Sequence, residues 1–185
     1  MSRAPVPESA VFEVARALEQ RGAAYAFMGG IAVNTWAIPR ATFDLDVLVE
    51  SPSGDTTQFL RTFSGTDIEV DEPFLKGYLD RFSGMEKATL RLLLAGVWFT
   101  VDMFFVNSPF LRSAMERRLT IDLGADSIQV ITAADLLLLK LLAGRRKDQL
   151  DIENLVALQG LTEADYLRQW ADRLGIRDRL DRLLE

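Results

Sequence analysis

Hydrophobic residues recur at every second position over residues 43–50, which is the pattern of a half-buried β-strand. Other apolar runs predict further strands, and two of these runs flank Gly96 as the arms of a hairpin. The further predicted strands are residues 23–28, 66–71, 87–95, 97–106, 119–123 and 127–131. Residues 72–82 match neither the alternating pattern of a strand nor the spacing of a helix, so the sequence does not decide between helix and strand for this segment.

Apolar residues spaced three or four apart predict helices at both ends of the chain and between the strands. The predicted helices are residues 8–21, 31–37, 57–63 and 108–117, then helix from residue 132 onward, with one amphipathic helix over 163–185. This order predicts an α+β fold. A mixed-sheet core with its N-terminal helix would occupy residues 1–131, and a helical subdomain over 132–185 would pack on it.

The 185-residue chain contains neither cysteine nor histidine. Disulfides, thiolate nucleophiles, zinc–sulfur centres and histidine-based catalysis are therefore excluded, and any metal must bind oxygen ligands, as Mg²⁺ or Mn²⁺ does. The formal net charge of −6 disfavours broad, non-specific binding to nucleic acid, although it is compatible with a small basic patch.

The first seven residues contain no apolar segment of the kind that a signal peptide requires. The apolar runs at residues 92–101 and 136–142 are too short to span a bilayer. We therefore expect a soluble, cytoplasmic protein without a membrane partner.

Asp44 and Asp46 stand out in the strand 43–50, because aspartate is a poor strand former. Side chains two positions apart share one face of a strand, and their Cα atoms lie about 6.6 Å apart at ~3.3 Å per residue. Carboxylates at this spacing can hold one divalent cation or clamp a pair of them. Taken alone, however, such a pair is more often two exposed residues on the wet face of a strand.

Two further features favour a site near this aspartate pair. Asp102 interrupts the otherwise apolar strand 97–106, where a buried carboxylate without a partner is costly. A metal shared with the pair would remove that cost, whereas an Asp102 that faces solvent needs no such explanation. Gly29 and Gly30 lie between a strand and a helix, where bare backbone can approach phosphate, although a simple tight turn is the alternative.

Lys140 lies among leucines in an apolar helix, so it must extend to solvent, pair with an acid or reach into a site. Residues 145–147 form a basic cluster, which is either a solvated turn or a contact for phosphate or RNA. Asp148 and Asp151 can pair with these cations or cap the next helix. Arg40 precedes the aspartate strand and is either a surface arginine or a phosphate contact.

In combination, these residues resemble the signature of the polymerase-beta-like nucleotidyltransferase superfamily. That signature is Gly-Gly, a short helix, Asp-x-Asp in an apolar strand and a third carboxylate on a later strand, and it matches residues 27–33 and 40–49. Residues 134–152, with a helical lysine, a basic turn and Lys-Asp-x-x-Asp, are similar to the second half of AbiEii-type toxin nucleotidyltransferases. The resemblance covers residues 24–158 and implies a nucleotidyltransferase core flanked by helices.

The resemblance also implies roles for the candidate residues. Asp44 and Asp46 would bind Mg²⁺ or Mn²⁺, and Asp102 would be the third metal ligand or the general base. Lys140 would join the catalytic set by meeting the phosphates of the substrate, a nucleoside triphosphate (NTP). The residues expected to contact the NTP are Gly29, Gly30, Lys140 and Asp148 by the resemblance, and Arg40 by its position.

The sequence thus predicts a metal-dependent nucleotidyltransferase that moves a nucleoside monophosphate from an NTP to an acceptor hydroxyl. The acceptor is open between an RNA 3′ end, a protein and a small molecule. The resemblance adds the role of a toxin that an antitoxin protein silences. The alternative is a binding or regulatory protein that keeps the fold without catalysis, and the three intact carboxylates argue against it.

Overall fold

The segment 43–50 forms a central strand of a mixed eight-stranded sheet in the computed structural model, which describes residues 4–124 and 126–184. The strands are β1 (Ala24–Phe27), β2 (Asp44–Glu50), β3 (Ile68–Val70), β4 (Asp80–Phe82), β5 (Met85–Leu94), β6 (Val97–Phe105), β7 (Leu119–Asp122) and β8 (Ser127–Val130). Their order is β3-β5-β6-β2-β1-β8-β7, with β4 paired to β5. β2 runs parallel to β6, and β1 to β8, whereas the other pairs are antiparallel.

One helix precedes the strands in the chain, several lie between them, and the last four follow β8. They are α1 (Glu8–Glu19), α2 (Gly29–Trp36), α3 (Thr56–Arg61), α4 (Glu72–Leu75), α5 (Pro109–Glu116), α6 (Ala133–Ala143), α7 (Asp148–Gln159), α8 (Ala164–Leu174) and α9 (Arg177–Leu184). Side-chain caps mark several starts: the Ser108 and Thr132 hydroxyls accept hydrogen bonds from backbone N–H groups of α5 and α6. The predicted α+β class is therefore confirmed.

Two local predictions need correction, and one segment that was left open is now assigned. Residues 72–82, which fitted no single period, contain both the short helix α4 and the strand β4. The helix α2 begins at Gly29, two residues before the predicted start, so the two glycines form its first turn. The predicted helix 163–185 is two helices, because Gly175 adopts a left-handed conformation (φ +67°) that ends α8. Residues 1–3 and Glu185, on which parts of these predictions fall, lie outside the described residues.

The core lies between the sheet and its helices. On β2 and β6, Leu45, Val47, Val101 and Met103 are fully buried on one face of the sheet, which leaves the aspartates on the opposite face. The hairpin of β5 and β6 turns at Ala95 and Gly96, both with positive φ, as a two-residue turn requires.

The helices α6 and α7 both pack against α2, and α6 also packs against α8. A buried polar cluster fixes α6: the Asp135 carboxylate accepts hydrogen bonds from Thr132 (2.6 Å), Tyr166 (2.5 Å) and Arg117 (3.3 Å). These partners lie on or beside α5, α6 and α8, so the cluster joins the C-terminal helices to the rest of the chain. Among the described residues, no helix is both long and apolar enough to cross a membrane.

Candidate active site

The three candidate carboxylates come from two neighbouring parallel strands. Asp46 on β2 lies directly opposite Asp102 on β6, and Asp44 lies opposite Thr100. Directly opposite residues share one face of a sheet, and neighbouring strands lie about 4.8 Å apart. The fold therefore brings the side chains of Asp44, Asp46 and Asp102 to one patch of one face.

Asp46 carries the clearest electrostatic signature of this patch. Burial, followed by the negative charges of Asp102 and Asp44, raises the pKa of the Asp46 carboxyl to about 6. The positive charges of Arg145 and Lys140 act in the opposite direction on the same pKa. Asp46 therefore lies between an acidic group and a basic group of side chains.

Asp102 has two polar partners that the sequence did not nominate. Its Oδ2 accepts a hydrogen bond from the Lys87 ammonium (2.8 Å), and its Oδ1 accepts one from the Thr89 hydroxyl (2.6 Å). Lys87 and Thr89 both come from β5, on the far side of β6 from Asp46. The cost of placing an aspartate in an apolar strand is thus relieved by a lysine and a hydroxyl.

Gly29 and Gly30 start α2 immediately beside the aspartates. A Cβ atom on Gly29 would collide with the Asp46 carboxylate, and a Cβ on Gly30 would collide with the Thr42 side chain. Gly29 also has a φ of +54°, which L side chains rarely adopt. Bare backbone is therefore required here by the close approach of the loop and strand that carry Thr42 and Asp46.

Replacing Gly29 with alanine is expected to destabilise the protein by at least ~1 kcal/mol more than the cost of the left-handed backbone alone, about 1–2 kcal/mol. Gly22→Ala supplies the matched control, because Gly22 has a similar φ of +65° and its Cβ would meet no described atom within 4 Å. Urea denaturation of both variants measures the difference. Equal destabilisation would contradict the contact between Gly29 and Asp46.

Lys140 lies on the basic side of the site and is almost entirely buried. Its Nζ donates to the Asp148 carboxylate at 2.9 Å and to the Asp151 carboxylate at 2.6 Å. Of the three possibilities left by the sequence, extension into solvent is wrong, and pairing with acids is observed. The two aspartates lie one turn apart at the start of α7, so they share a helix face.

Two arginines complete this cluster from outside. The Arg40 guanidinium donates two hydrogen bonds of 2.8 Å to Asp151, and Arg145 donates to both oxygens of Asp148 at 2.6 and 3.1 Å. Burial would raise the pKa of Asp148, but the bonds from Arg145 and Lys140 outweigh it and hold this pKa below its ordinary value. Burial likewise opposes the bonds from Arg40 and Lys140 to Asp151, whose pKa is also lowered.

The acidic and basic groups line one open cavity of 480 Å³. All the site residues nominated by the sequence lie on its wall: Gly29, Gly30, Arg40, Asp44, Asp46, Asp102, Lys140 and Asp148. Their roles remain predictions, but their convergence from α2, β2, β6, α6 and α7 is a property of the fold. We call this cavity the charged cleft.

The charged cleft fits a divalent cation in its donor atoms more than in their arrangement. Across the described parts of the chain, no group of three or more acidic side chains is arranged to hold a metal ion, and Asp102 is turned to Lys87 and Thr89. The donor chemistry nevertheless suits Mg²⁺ or Mn²⁺, because Asp44 and Asp46 supply only carboxylate oxygens. Burial, followed by the charges of Asp102 and Asp44, raises the pKa of Asp46, and a bound cation would relieve this cost of keeping Asp46 charged.

Sequence reasoning missed four residues of the site: Thr42, Lys87, Thr89 and, as a definite member, Asp151. The sequence did contain one signal for two of them, because Lys87 and Thr89 alternate with the buried Ala88 and Leu90 along β5. That alternation predicts a polar face, but it does not say which strand lies beside it.

Comparison with known proteins supports the fold. No family model matches the chain, and no curated protein matches its sequence. The structure is similar to the crystal structure of an antigenic nucleotidyltransferase-like protein from Paracoccidioides brasiliensis, with a TM-score of 0.59 and 20% identity over 96% of this chain and 93% of that one. It is also similar to the lincosamide antibiotic adenylyltransferase LnuA with bound lincomycin, with a TM-score of 0.53 and 18% identity over 84% of this chain and 99% of LnuA.

These likenesses define the class of fold: the chain has a nucleotidyltransferase-like fold. At 18–20% identity they define the fold alone.

Proposed function

We propose that this protein is a metal-dependent nucleotidyltransferase, which moves a nucleoside monophosphate from an NTP to an acceptor hydroxyl. The observation that carries the proposal is the charged cleft, in which carboxylates of β2 and β6 face a cluster of buried and half-buried cations. An NTP needs both: acidic residues to hold its metal and basic residues to bind its phosphates. The nucleotidyltransferase-like fold is consistent with this activity.

In this mechanism Asp44 and Asp46 would hold a Mg²⁺ or Mn²⁺ ion, which would neutralise charge on the triphosphate. Lys140, fixed between Asp148 and Asp151, contributes positive charge close to the phosphates without moving. Arg40 and Arg145 are partly exposed at the cleft, so they can donate further hydrogen bonds to phosphate oxygens. Gly29 and Gly30 allow the phosphates to approach the first turn of α2.

The group transfer needs one proton acceptor. The acceptor hydroxyl oxygen forms a bond to the α-phosphorus, and its proton passes to a carboxylate of the cleft. The bond between the α-phosphorus and the bridging oxygen breaks, and pyrophosphate leaves with the electron pair. Because the chain contains no histidine, we assign the role of general base to a carboxylate of the cleft.

The acceptor and the biological role are proposed from resemblances to other proteins and not from the charged cleft. The similarity to AbiEii-type toxins lies in sequence motifs, so a toxin role and a silencing antitoxin are proposed on that resemblance alone. A cytoplasmic location belongs to the same proposal. LnuA is an adenylyltransferase for an antibiotic, and this likeness supports keeping a small molecule among the candidate acceptors, together with RNA and protein.

Incubation of the protein with each α-³²P-labelled NTP, Mg²⁺, purified tRNA and a cell extract is expected to move label from one or more NTPs to an acceptor. Omission of Mg²⁺ should abolish the signal. Separation of the products by size and by nuclease or protease sensitivity identifies the acceptor class. Labelled tRNA would strengthen the toxin role, and a labelled small molecule would weaken it.

The proposal fails if no NTP yields a labelled product and no NTP binds in a metal-dependent manner. That pair of results would instead favour a binding or regulatory protein that retains the fold. Binding without transfer would contradict the catalytic part of the proposal alone.

A further inference from the structure

Both carboxylate oxygens of Asp102 accept hydrogen bonds from side chains of β5. Oδ2 accepts a hydrogen bond from the Lys87 ammonium at 2.8 Å, and Oδ1 accepts one from the Thr89 hydroxyl at 2.6 Å. The Lys87 ammonium also donates to the Thr89 hydroxyl at 3.3 Å. Asp102, Lys87 and Thr89 thus form a closed triangle of hydrogen bonds, which we call the Asp102 clamp.

The clamp lies on the side of Asp102 that is away from the aspartate pair. In the sheet order, β5 and β2 flank β6, and Asp102 lies directly between Thr89 on β5 and Asp46 on β2. Bonds to Thr89 and Lys87 therefore draw the Asp102 carboxylate away from Asp46. This direction also reduces the repulsion between the two carboxylates.

The clamp is too well shielded to be a loose surface ion pair. The side chains of Lys87 and Asp102 are each only 19% exposed, and charge-assisted hydrogen bonds strengthen where water is excluded. Turning Asp102 toward a metal beside Asp46 would break two such bonds. It would also leave the Lys87 ammonium mostly withdrawn from water without its carboxylate, which is costly.

We propose that Lys87 and Thr89 are positioning residues that keep Asp102 out of the metal site and hold it for the acceptor hydroxyl. This inference rests on the proposed function and deepens it. The metal is then held by Asp44 and Asp46 without Asp102, in contrast to a site in which all three carboxylates are ligands. Of the two roles that the sequence left open for Asp102, third ligand or general base, the clamp assigns the second.

The consequence for the reaction concerns one proton. Asp102, positioned by its hydrogen bonds from Lys87 and Thr89, accepts the hydrogen bond and then the proton of the attacking hydroxyl. The oxygen of that hydroxyl forms its bond to the α-phosphorus, and the bond to the pyrophosphate leaving group breaks with its electron pair. Lys87 itself touches neither NTP nor acceptor in this arrangement.

Mn²⁺ titration followed by electron paramagnetic resonance tests the inference with the metal alone, without NTP or acceptor. Asp46→Asn is expected to weaken Mn²⁺ binding at least ~tenfold, because it removes a charged ligand. Asp102→Asn should leave the affinity within about twofold while it lowers transfer strongly. Lys87→Met should tighten Mn²⁺ binding a few-fold, since it frees Asp102 to turn toward the metal.

Two control variants separate the expected effect from unfolding and from a general change of charge. Lys87→Arg keeps the positive charge and should retain the Mn²⁺ affinity of the natural protein. Arg91→Met removes a cation from the same face of β5, four residues along, where Arg91 pairs with Glu69 in solvent. It should change neither Mn²⁺ binding nor transfer, because Arg91 lies outside the clamp.

The inference is overturned if Asp102→Asn weakens Mn²⁺ binding as much as Asp46→Asn does, because Asp102 would then be a ligand. It is also overturned if Lys87→Met leaves the affinity unchanged in a folded protein, or if the natural protein binds no Mn²⁺. These readouts are independent of transfer. A protein that shows the expected Mn²⁺ pattern but labels no acceptor would contradict the proposed function and leave the separation of Asp102 from the metal intact.

Discussion

The Asp46→Asn variant is expected to lose nucleotidyl transfer and, in the absence of metal, to be more stable than the natural protein. The loss follows from the proposed metal site, because a metal that stabilises charge in phosphoryl transfer contributes several kcal/mol, or about 10³-fold or more in rate. The gain in stability has a separate cause. At neutral pH the Asp46 carboxylate is charged in a site whose burial and negative neighbours, Asp102 and Asp44, disfavour charge.

The sign and pH range of this stability change follow from the pKa of Asp46. Its pKa is about 6 in the folded protein against 3.8 as the ordinary value, so the folded state favours the protonated form. The stability that Asp46 contributes is therefore fully present below pH ~4 and is lost as the pH rises through 6. The difference of about 2 pKa units corresponds to about 3 kcal/mol above pH 6. Asparagine is neutral at every pH and avoids this loss.

Urea denaturation of the natural protein and Asp46→Asn, in a chelator and across pH 4 to 8, measures this difference. The variant should be more stable by up to about 3 kcal/mol at pH 7.5, and the difference should shrink toward pH 4. Mg²⁺ should raise the melting temperature of the natural protein more than that of the variant. Glu50→Gln is the matched control on the same strand, because Glu50 is 40% exposed and pairs with Arg112 outside the cleft. Full transfer by Asp46→Asn would refute the site.

Replacing Lys140 with methionine is expected to destabilise the protein by about 3–5 kcal/mol, the largest stability loss that we expect from a single substitution here. Lys140 is 5% exposed and donates hydrogen bonds to both Asp148 and Asp151, and both aspartates are themselves buried. Methionine fills a similar volume, so the loss reports charge and hydrogen bonding more than a cavity. Arg40 and Arg145 still pair with Asp151 and Asp148 in this variant, and these ion pairs limit the loss of stability.

The pH dependence of this loss distinguishes a missing counter-charge from poor packing. In the natural protein the pKa values of Asp148 and Asp151 are held below the ordinary 3.8, so their ion pairs contribute stability above that pH. This contribution disappears as the pH falls through the lowered values. Without Lys140 the pKa values should rise, so the penalty should be greatest near neutral pH and should decrease as acid protonates the aspartates.

Circular dichroism during urea denaturation at pH 7.5 and pH 4 measures the penalty. Lys76→Met is the control for loss of a lysine, because Lys76 is exposed and pairs with the exposed Glu72. Adding Asp148→Asn and Asp151→Asn to Lys140→Met should recover part of the stability. A Lys140→Met protein as stable as the Lys76→Met protein would show that the buried network contributes nothing.

Much of the architecture was readable from local patterns. The alternation over residues 43–50 placed Asp44 and Asp46 on one face of a strand, and the pairing of a strand with a helix around Gly29 followed from the glycines and the apolar run before them. These inferences succeed because side-chain direction in a strand depends only on the backbone period. The absence of histidine and cysteine likewise restricted the chemistry to oxygen ligands and carboxylate bases.

The ends of helices were harder to predict from the sequence, because a local pattern of apolar residues does not give the backbone conformation of a single residue. The continuous amphipathic pattern of residues 163–185 hides the left-handed Gly175, at which one helix ends before another begins. In the same way, the start of α2 at Gly29 depends on the close approach of Asp46, which lies 17 positions later in the chain. Such contacts are tertiary, and no period in the sequence encodes them.

What the sequence by itself determined is the chemical inventory of this protein: three aspartates in predicted strands, a lysine among leucines, and strands mixed with helices before an all-helical C-terminal part. What only the tertiary structure decided is the pairing of these charges. Asp102 binds Lys87, 15 positions away, and Asp151 binds Arg40, 111 positions away. Ion pairs of this kind depend on which strands and helices become neighbours, because Coulomb attraction acts through distance in space and not along the chain.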